Sequence, residues 1–295
     1  MNKLKKIISM FLAIVMAFTL AGVIVPQSTV EAATTTKSYT FVKGEAWVYT
    51  IYSGSSKVKS YSSSNKSVVS VSKNKSNKNA VNLSAKKKGS ATITVKMTNG
   101  AKTVLKLKVV NPAIEFKIVG KRDSYVTYKV KNKGSVSYSS LYFKYTLKNS
   151  KNSTVKSDYE SVSYLGAGQS AYVDVYVGDT SGISTSKSYA KIDNTQSRRY
   201  LEYKYSSATK YVSYKVSKAS DGNFKVKFTN KSKNTVDAVA DVVFYDANGK
   251  IVDVSTTSRY LTKKSTDTAT LYVSSYVKYD HYKVYLRATS TKYIR

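Results

Sequence analysis

Residues 223–250 read NFKVKFTNKSKNTVDAVADVVFYDANGK, and this stretch decides the fold class. Phe224, Val226 and Phe228 alternate with Lys225, Lys227 and Thr229. After the polar run Asn230–Asn234 the alternation resumes with Val236, Ala238, Ala240, Val242 and Phe244. Asp246-Ala247-Asn248-Gly249 then closes the second segment as a turn. A period of two sends successive side chains to opposite faces of a strand, so each segment has one apolar and one polar side. The apolar sides are expected to form a core. The polar sides, including Asp241 between Ala240 and Val242, are expected to meet water.

The same order of strands and turns lies roughly a hundred residues upstream, about one sandwich domain's length. Val212, Tyr214 and Val216 match Ile114, Phe116 and Ile118, and Phe224, Val226 and Phe228 match Val126, Tyr128 and Val130. Asn230 then falls on Asn132, and Phe244 on Leu147 after a one-residue slip. Leu261 falls on Leu165, and Ala269, Leu271 and Val273 on Val173, Val175 and Val177. Identities are few, so the repeat is one of pattern.

Further upstream the chain reads as one more unit of strands. Ala91, Ile93 and Val95 alternate with Thr92, Thr94 and Lys96. Thr98-Asn99-Gly100 turns the chain, and Leu105, Leu107 and Val109 return. Trp47 and Tyr49 follow Lys43-Gly44-Glu45, and Val69 and Val71 alternate with Ser70 and Ser72. Within this unit, Tyr61-Ser62-Ser63-Ser64-Asn65-Lys66-Ser67-Val68-Val69-Ser70-Val71 and Ala85-Lys86-Lys87-Lys88-Gly89-Ser90-Ala91-Thr92-Ile93-Thr94-Val95 resemble the group 2 bacterial immunoglobulin-like domain. Gly44-Glu45 matches that family's early turn; the insert Lys73–Asn79 departs from its pattern. The resemblance covers about a quarter of the chain. It implies a β-sandwich of bacterial surface proteins, with no catalytic residues. Asn230-Lys231-Ser232 followed by Val242–Lys250 resembles the FxLYD and related extracellular β-sandwich domains, with Leu165-Gly166-Ala167-Gly168 supplying that pattern's later turn in the upstream copy. It implies an Ig-like sandwich and no activity. The expected organisation is all-β: three tandem Ig-like β-sandwiches, at 36–110, 113–193 and 200–295. Asn111-Pro112-Ala113 separates the first two, with the φ of Pro112 fixed at the joint.

Residues 1–32 read as a targeting segment. Lys3, Lys5 and Lys6 precede an apolar run from Ile7 to Val25, and Val30-Glu31-Ala32 before Ala33 fits a small-residue cleavage site. Cleavage there is the expected outcome, with an uncleaved N-terminal anchor as the alternative, and no later apolar run is long enough to span a membrane. The chain has no cysteine, which excludes disulfides, thiolate metal sites and a lipid-bearing cysteine anchor. Residues 290–295 carry no wall-sorting signal with an apolar tail. Together these point to a secreted protein in the style of a Gram-positive bacterium, held at the wall without covalent attachment.

Charge is the strongest functional hint. Lys and Arg total 49 against 17 Asp and Glu, a formal net charge of +32. Such a surface attracts polyanions at long range. The expected partners are anionic wall polymers, teichoic acid or an acidic glycan, with a host or surface glycan or protein also open. Sequence-specific nucleic-acid recognition is not expected, because the lysines are spread along outward strand positions instead of gathered in a groove. The same lysines would also blunt strand edges against aggregation. Tyrosine is the second excess, at 27 residues. Tyr172, Tyr176 and Tyr272 on outward strand positions, Tyr203 and Tyr205 near the last joint, and the run Lys86, Lys87, Lys88 are the candidate ligand contacts. Tyrosine is equally a good strand residue with a polar tip.

Catalysis has little to stand on. His281 is the only histidine, beside Asp280 and near Ser274 and Ser275. No Gly-x-Ser-x-Gly elbow occurs. The first unit has Glu45 as its single carboxylate, too few for the paired acids of a glycosidase. Asp246-x-Asn248-Gly249 is a fragment of a calcium loop and a complete β-turn. No cofactor is expected. The sequence reads as a non-catalytic surface protein, structural or adhesive, held by charge, with a tyrosine-based carbohydrate-binding array as the alternative.

Overall fold

The computed structural model describes residues 33–197 and 203–293. The targeting-segment reading of 1–32 lies outside the described residues. The fold is all-β, with separate sheets packed in pairs as sandwiches.

In the first pair β1 (Thr34–Val42), β2 (Ala46–Thr50), β3 (Val58–Ser63), β4 (Val69–Lys73), β5 (Ala80–Ala85), β6 (Gly89–Met97) and β7 (Lys102–Val110) form two sheets, in the orders β1-β7-β6-β3 and β2-β5-β4. Phe41, Leu83, Ile93, Val95, Met97 and Leu105 from both sheets meet in one core. Each such side chain contributes about 1.5–3 kcal/mol when fully buried. Gly100 turns β6 into β7 at φ 86°, in the left-handed region that glycine adopts without strain. In the insert 73–79, Asn74 Oδ1 accepts from the amides of Ser76 at 3.0 Å and Asn77 at 2.8 Å, so an asparagine turn orders the loop.

The second pair contains β8 (Ile114–Arg122), β9 (Tyr125–Asn132), β10 (Tyr138–Lys148), β11 (Thr154–Leu165), β12 (Ser170–Tyr176) and β13 (Ser184–Ile192), in sheets β12-β9-β8 and β11-β10-β13. The third contains β14 (Tyr203–Ser207), β15 (Val212–Lys218), β16 (Phe224–Asn230), β17 (Val236–Tyr245), β18 (Ile251–Leu261), β19 (Thr266–Leu271) and β20 (His281–Tyr293), in sheets β15-β16-β19 and β14-β20-β17-β18. Strand for strand, β8–β13 and β15–β20 have the same neighbours, except that β14 is added beside β20. Their registers agree as well: Ile114 faces Asn132 and Phe116 faces Val130, as Val212 faces Asn230 and Tyr214 faces Phe228.

The two asparagines have the same work. Asn132 Nδ2 donates to the carbonyls of Val136 at 2.7 Å and Leu165 at 3.4 Å, and its Oδ1 accepts from Gly134 N at 3.0 Å. Asn230 Nδ2 donates to Asn234 and Thr262, both at 2.8 Å, and its Oδ1 accepts from Ser232 N at 2.9 Å. Each buried amide thus ties its own turn to the one two strands further on, after β11 or β18, satisfying backbone groups that water does not reach.

The sandwiches meet in two different ways. Between the first and second the joint is narrow. Val42, the last residue of β1, packs into the second core, and Asn194 Nδ2 donates to the carbonyl of Lys43 at 2.8 Å. Between the second and third the contact is broad. The outward side of β8-β9-β12, with the β11 and β12 edges, lies on the outward side of β17, β18 and β20.

Asp241, expected in solvent, is 0% exposed there. It does point away from its own core, as the alternation requires, and the second sandwich covers it. Its carboxylate takes a bidentate pair from Arg287, Nε at 3.0 Å and Nη2 at 2.8 Å, plus Thr256 Oγ1 at 2.9 Å. The backbone amide of Tyr172, from the second sandwich, adds a fourth bond at 3.0 Å. Arg287, 4% exposed, donates its remaining Nη1 to the carbonyl of Ser163. A buried ion pair survives only when its leftover valences are filled, and here the neighbouring sandwich fills them.

Candidate functional site

Tyr172 is the main departure among the candidate contacts. It leaves the outer side of β12 as expected, yet it is 6% exposed. Its ring lies 4.2 Å from that of Tyr285, beside Val243 and Ile251, so it closes the joint and has no free face for a ligand. Burial pushes its hydroxyl well above the usual tyrosine range, and pushes Tyr245 up in the same way. A second group completes this joint: Arg122 pairs with Asp174 and, at 3.2 Å, with Asp253 of the third sandwich.

The other candidates come from separate elements. Tyr176 is exposed and meets Tyr125 edge-on at 5.4 Å, with the Lys156 ammonium 5.7 Å from its ring. Tyr272 is exposed one residue beyond β19. The backbones of Tyr203 and Tyr205 pair with β20, and their side chains lie outside the described residues. Lys86, Lys87 and Lys88 are exposed in the β5–β6 turn. The described ones lie on different elements, at the end of β12, just past β19 and in the β5–β6 turn.

His281 Nδ1 sits 2.9 Å from Asp280 Oδ2 and its ring stacks on Tyr245 at 5.1 Å. Asp246 Oδ1 accepts from the amides of Asn248 and Lys250, both at 2.9 Å, the bonds of a turn. Among the described residues no three His, Cys, Asp or Glu side chains gather, and no helix is long and apolar enough to cross a membrane.

A surface that does bring basic and aromatic groups together is the outward side of β11-β10-β13. Leu141, Phe143, Tyr145 and Leu147 of β10 face the core, so Lys144, Thr146 and Lys148 face out. Register places Tyr159 and Lys191 on either side of Lys144, and Ser157 and Tyr189 on either side of Thr146. Tyr159 is 47% exposed and Tyr189 45%. The Lys144 ammonium stands 5.6 Å from the Tyr159 ring centre, while Lys191 and Lys148 stand 5.4 and 5.9 Å from that of Tyr189. Such distances lie at the outer limit of cation–π attraction; Lys144 and Lys191 are exposed, while Lys148 is half-buried and its ammonium donates to Asn152 Oδ1 at 3.0 Å. Asp158 and Glu160 flank Tyr159 in sequence but alternate to the other side, opposite Tyr145 and Phe143. There they help burial push the Tyr145 hydroxyl up to about 12.

Sequence reading missed Tyr159 and Tyr189. β11 has no apolar period, so its sidedness is invisible. A usable signal was present in β13, where Tyr189 and Lys191 alternate with Ala190 and Ile192.

The open face of the third sandwich differs. Its outward rows are Ser213, Lys215 and Ser217, then Thr229, Lys227 and Lys225, then Thr266, Thr268 and Thr270. Lysine is there without a ring. On the first sandwich a hollow of about 250 Å³ lies against β2, β4 and β5, lined by Val48, Ser70, Ser72, Asn82 and Ser84 among others, with no charged side chain. Compared with known proteins, the chain matches no family model and no curated protein.

Proposed function

We propose that this is an exported, non-catalytic protein of a bacterial, Gram-positive-type cell surface, structural or adhesive in role. It is held by charge on anionic envelope polymers, teichoic acid or an acidic glycan. The sandwiches are read as one group 2 bacterial Ig-like unit followed by two FxLYD-like units. The observation that carries this reading is the placing of charge. Lysines occupy the outward rows of the open faces, whereas several of the scarce acids, Asp174, Asp241 and Asp253, are spent inside the joint. What remains facing outward is therefore even more one-sided than the composition.

Cell fractionation in rising salt tests it. The protein is expected in wall extracts at low ionic strength and in the supernatant near molar salt, where the screening length falls to about 3 Å. Retention through a molar salt wash, or absence from the low-salt wall fraction, would sink it. A carbohydrate-binding reading is favoured by one specific observation, the two half-exposed tyrosines among lysines on β11 and β13.

A further inference from the structure

We infer that the outward face of β11-β10-β13 is a docking face for a linear acidic polysaccharide, whose sugar rings stack on Tyr159 and Tyr189 while its carboxylates meet Lys144, Lys148 and Lys191. This rests on the proposal that the protein holds anionic polymers, and it says where and by what contacts.

Three observations meet here. The first is shape. Tyr159 and Tyr189 lie on the same side of one sheet, two strands apart across β10 and offset by two residues along it. Strand spacing and rise put their Cα atoms about 12 Å apart, a span that a short oligosaccharide covers. A ring on a strand is also held at its base, so little freedom is lost when a sugar stacks on it.

The second is charge complementarity. Lys144, Lys148 and Lys191 hover over the two rings, and no carboxylate shares their rows. The nearest acid beyond the end of β13, Asp193, has its oxygens turned to Thr195 and Gln196. An acidic sugar stacked on either ring would bring its carboxylate to an ammonium already in place.

The third is contrast. The Tyr125–Tyr176 pair carries Arg122 and Lys156 over its rings, but Arg122 is committed to Asp174 and Asp253, and two carboxylates beside a pair of rings repel an acidic chain. The lysine face of the third sandwich has the charge without the rings, and the hollow of the first, which Trp47 helps to line, has a ring without the charge.

Calorimetric titration of the full chain at about 0.15 M salt tests this with two probes: oligogalacturonate, which has rings and charge, and polyphosphate, which has charge alone. Tyr159→Ser with Tyr189→Ser is expected to weaken oligogalacturonate roughly tenfold and leave polyphosphate unchanged, since net charge is untouched. Lys144→Gln, Lys148→Gln and Lys191→Gln together are expected to weaken both. The matched loss of charge from the third sandwich, Lys215→Gln, Lys225→Gln and Lys227→Gln, is expected to spare oligogalacturonate.

The inference is overturned if the tyrosine pair changes neither titration, if the two lysine triples weaken oligogalacturonate equally, or if the unaltered protein fails to bind it. Each of these results leaves the salt-release experiment free to succeed, so the failure of this site and the failure of charge retention are separable. Unchanged melting curves of the variants, whose altered side chains are surface groups, keep the comparison clean.

Discussion

The second sandwich has two outward faces, built by the same alternation, and they have opposite fates. On β8-β9-β12 the outward residues Thr127, Tyr172 and Asp174 are covered by the third sandwich. On β11-β10-β13 the outward Lys144, Tyr159, Tyr189 and Lys191 remain open. Period two therefore establishes which side turns away from a strand's own core, and nothing more. What separates the faces is charge. The covered one has Asp174 to meet Arg122, and faces a partner whose Asp241 and Arg287 are already matched. The open one has lysine without a counterion in its rows.

The sharpest way to break this contrast is at the joint. Asp241→Ala leaves the Arg287 guanidinium buried and unpaired, and is expected to cost about 3–5 kcal/mol, read as a fall in the denaturation midpoint. Pairing it with Arg287→Leu should recover much of that loss; no recovery would mean the ion pair is not what the joint depends on.

The equivalence of the two units is tested next. Asn132→Ala and Asn230→Ala each strand buried carbonyls and should cost about 2–3 kcal/mol. Costs of the same order are expected from both, because the backbone bonds lost correspond, with Asn230 losing in addition one from Ser232 Oγ; a large disparity would count against the structural repeat.

A smaller effect comes from pH. Tyr172 and Tyr245 have hydroxyls raised by burial, so their contribution is present below the unfolded tyrosine value of about 10 and is lost as pH climbs from there through the raised folded values. Alkaline unfolding should be shallower in Tyr172→Phe, and a pH profile identical to that of the parent would refute a role for the joint in it. Smallest of all, Tyr159→Ser on the open face should change stability by no more than about 0.5 kcal/mol. A larger loss would mean that this ring, too, packs against something.

Much of the architecture was written in strands with one apolar side. β6, β9, β10, β16 and β17 have buried residues at every second position along most of their length, and the turns at Asn99-Gly100 and Asn248-Gly249 close where their residue types demand. β11 and β18 were not legible. They are long edge strands, covered on part of one side, and their sequences TVKSDYESVSYL and IVDVSTTSRYL carry no period. The joint was hidden for a different reason. Its members are polar or amphipathic, and only the meeting of Asp241 with Arg287, 46 positions away, and with the backbone of Tyr172, 69 positions away, removes them from water. The open lysine–tyrosine face was hidden because one of its tyrosines lies on β11.

The pairing of β1 with β7 has a mechanical consequence. The two strands run parallel, with Thr34 beside Lys102 and Val42 beside Val110. Tension applied at the start of β1 and at the end of β7 pulls them in opposite directions along their common axis. The rungs between them are then loaded together in shear, and cannot peel one after another. A load carried between the start of the first sandwich and a polymer gripped downstream of Val110 is borne by those rungs.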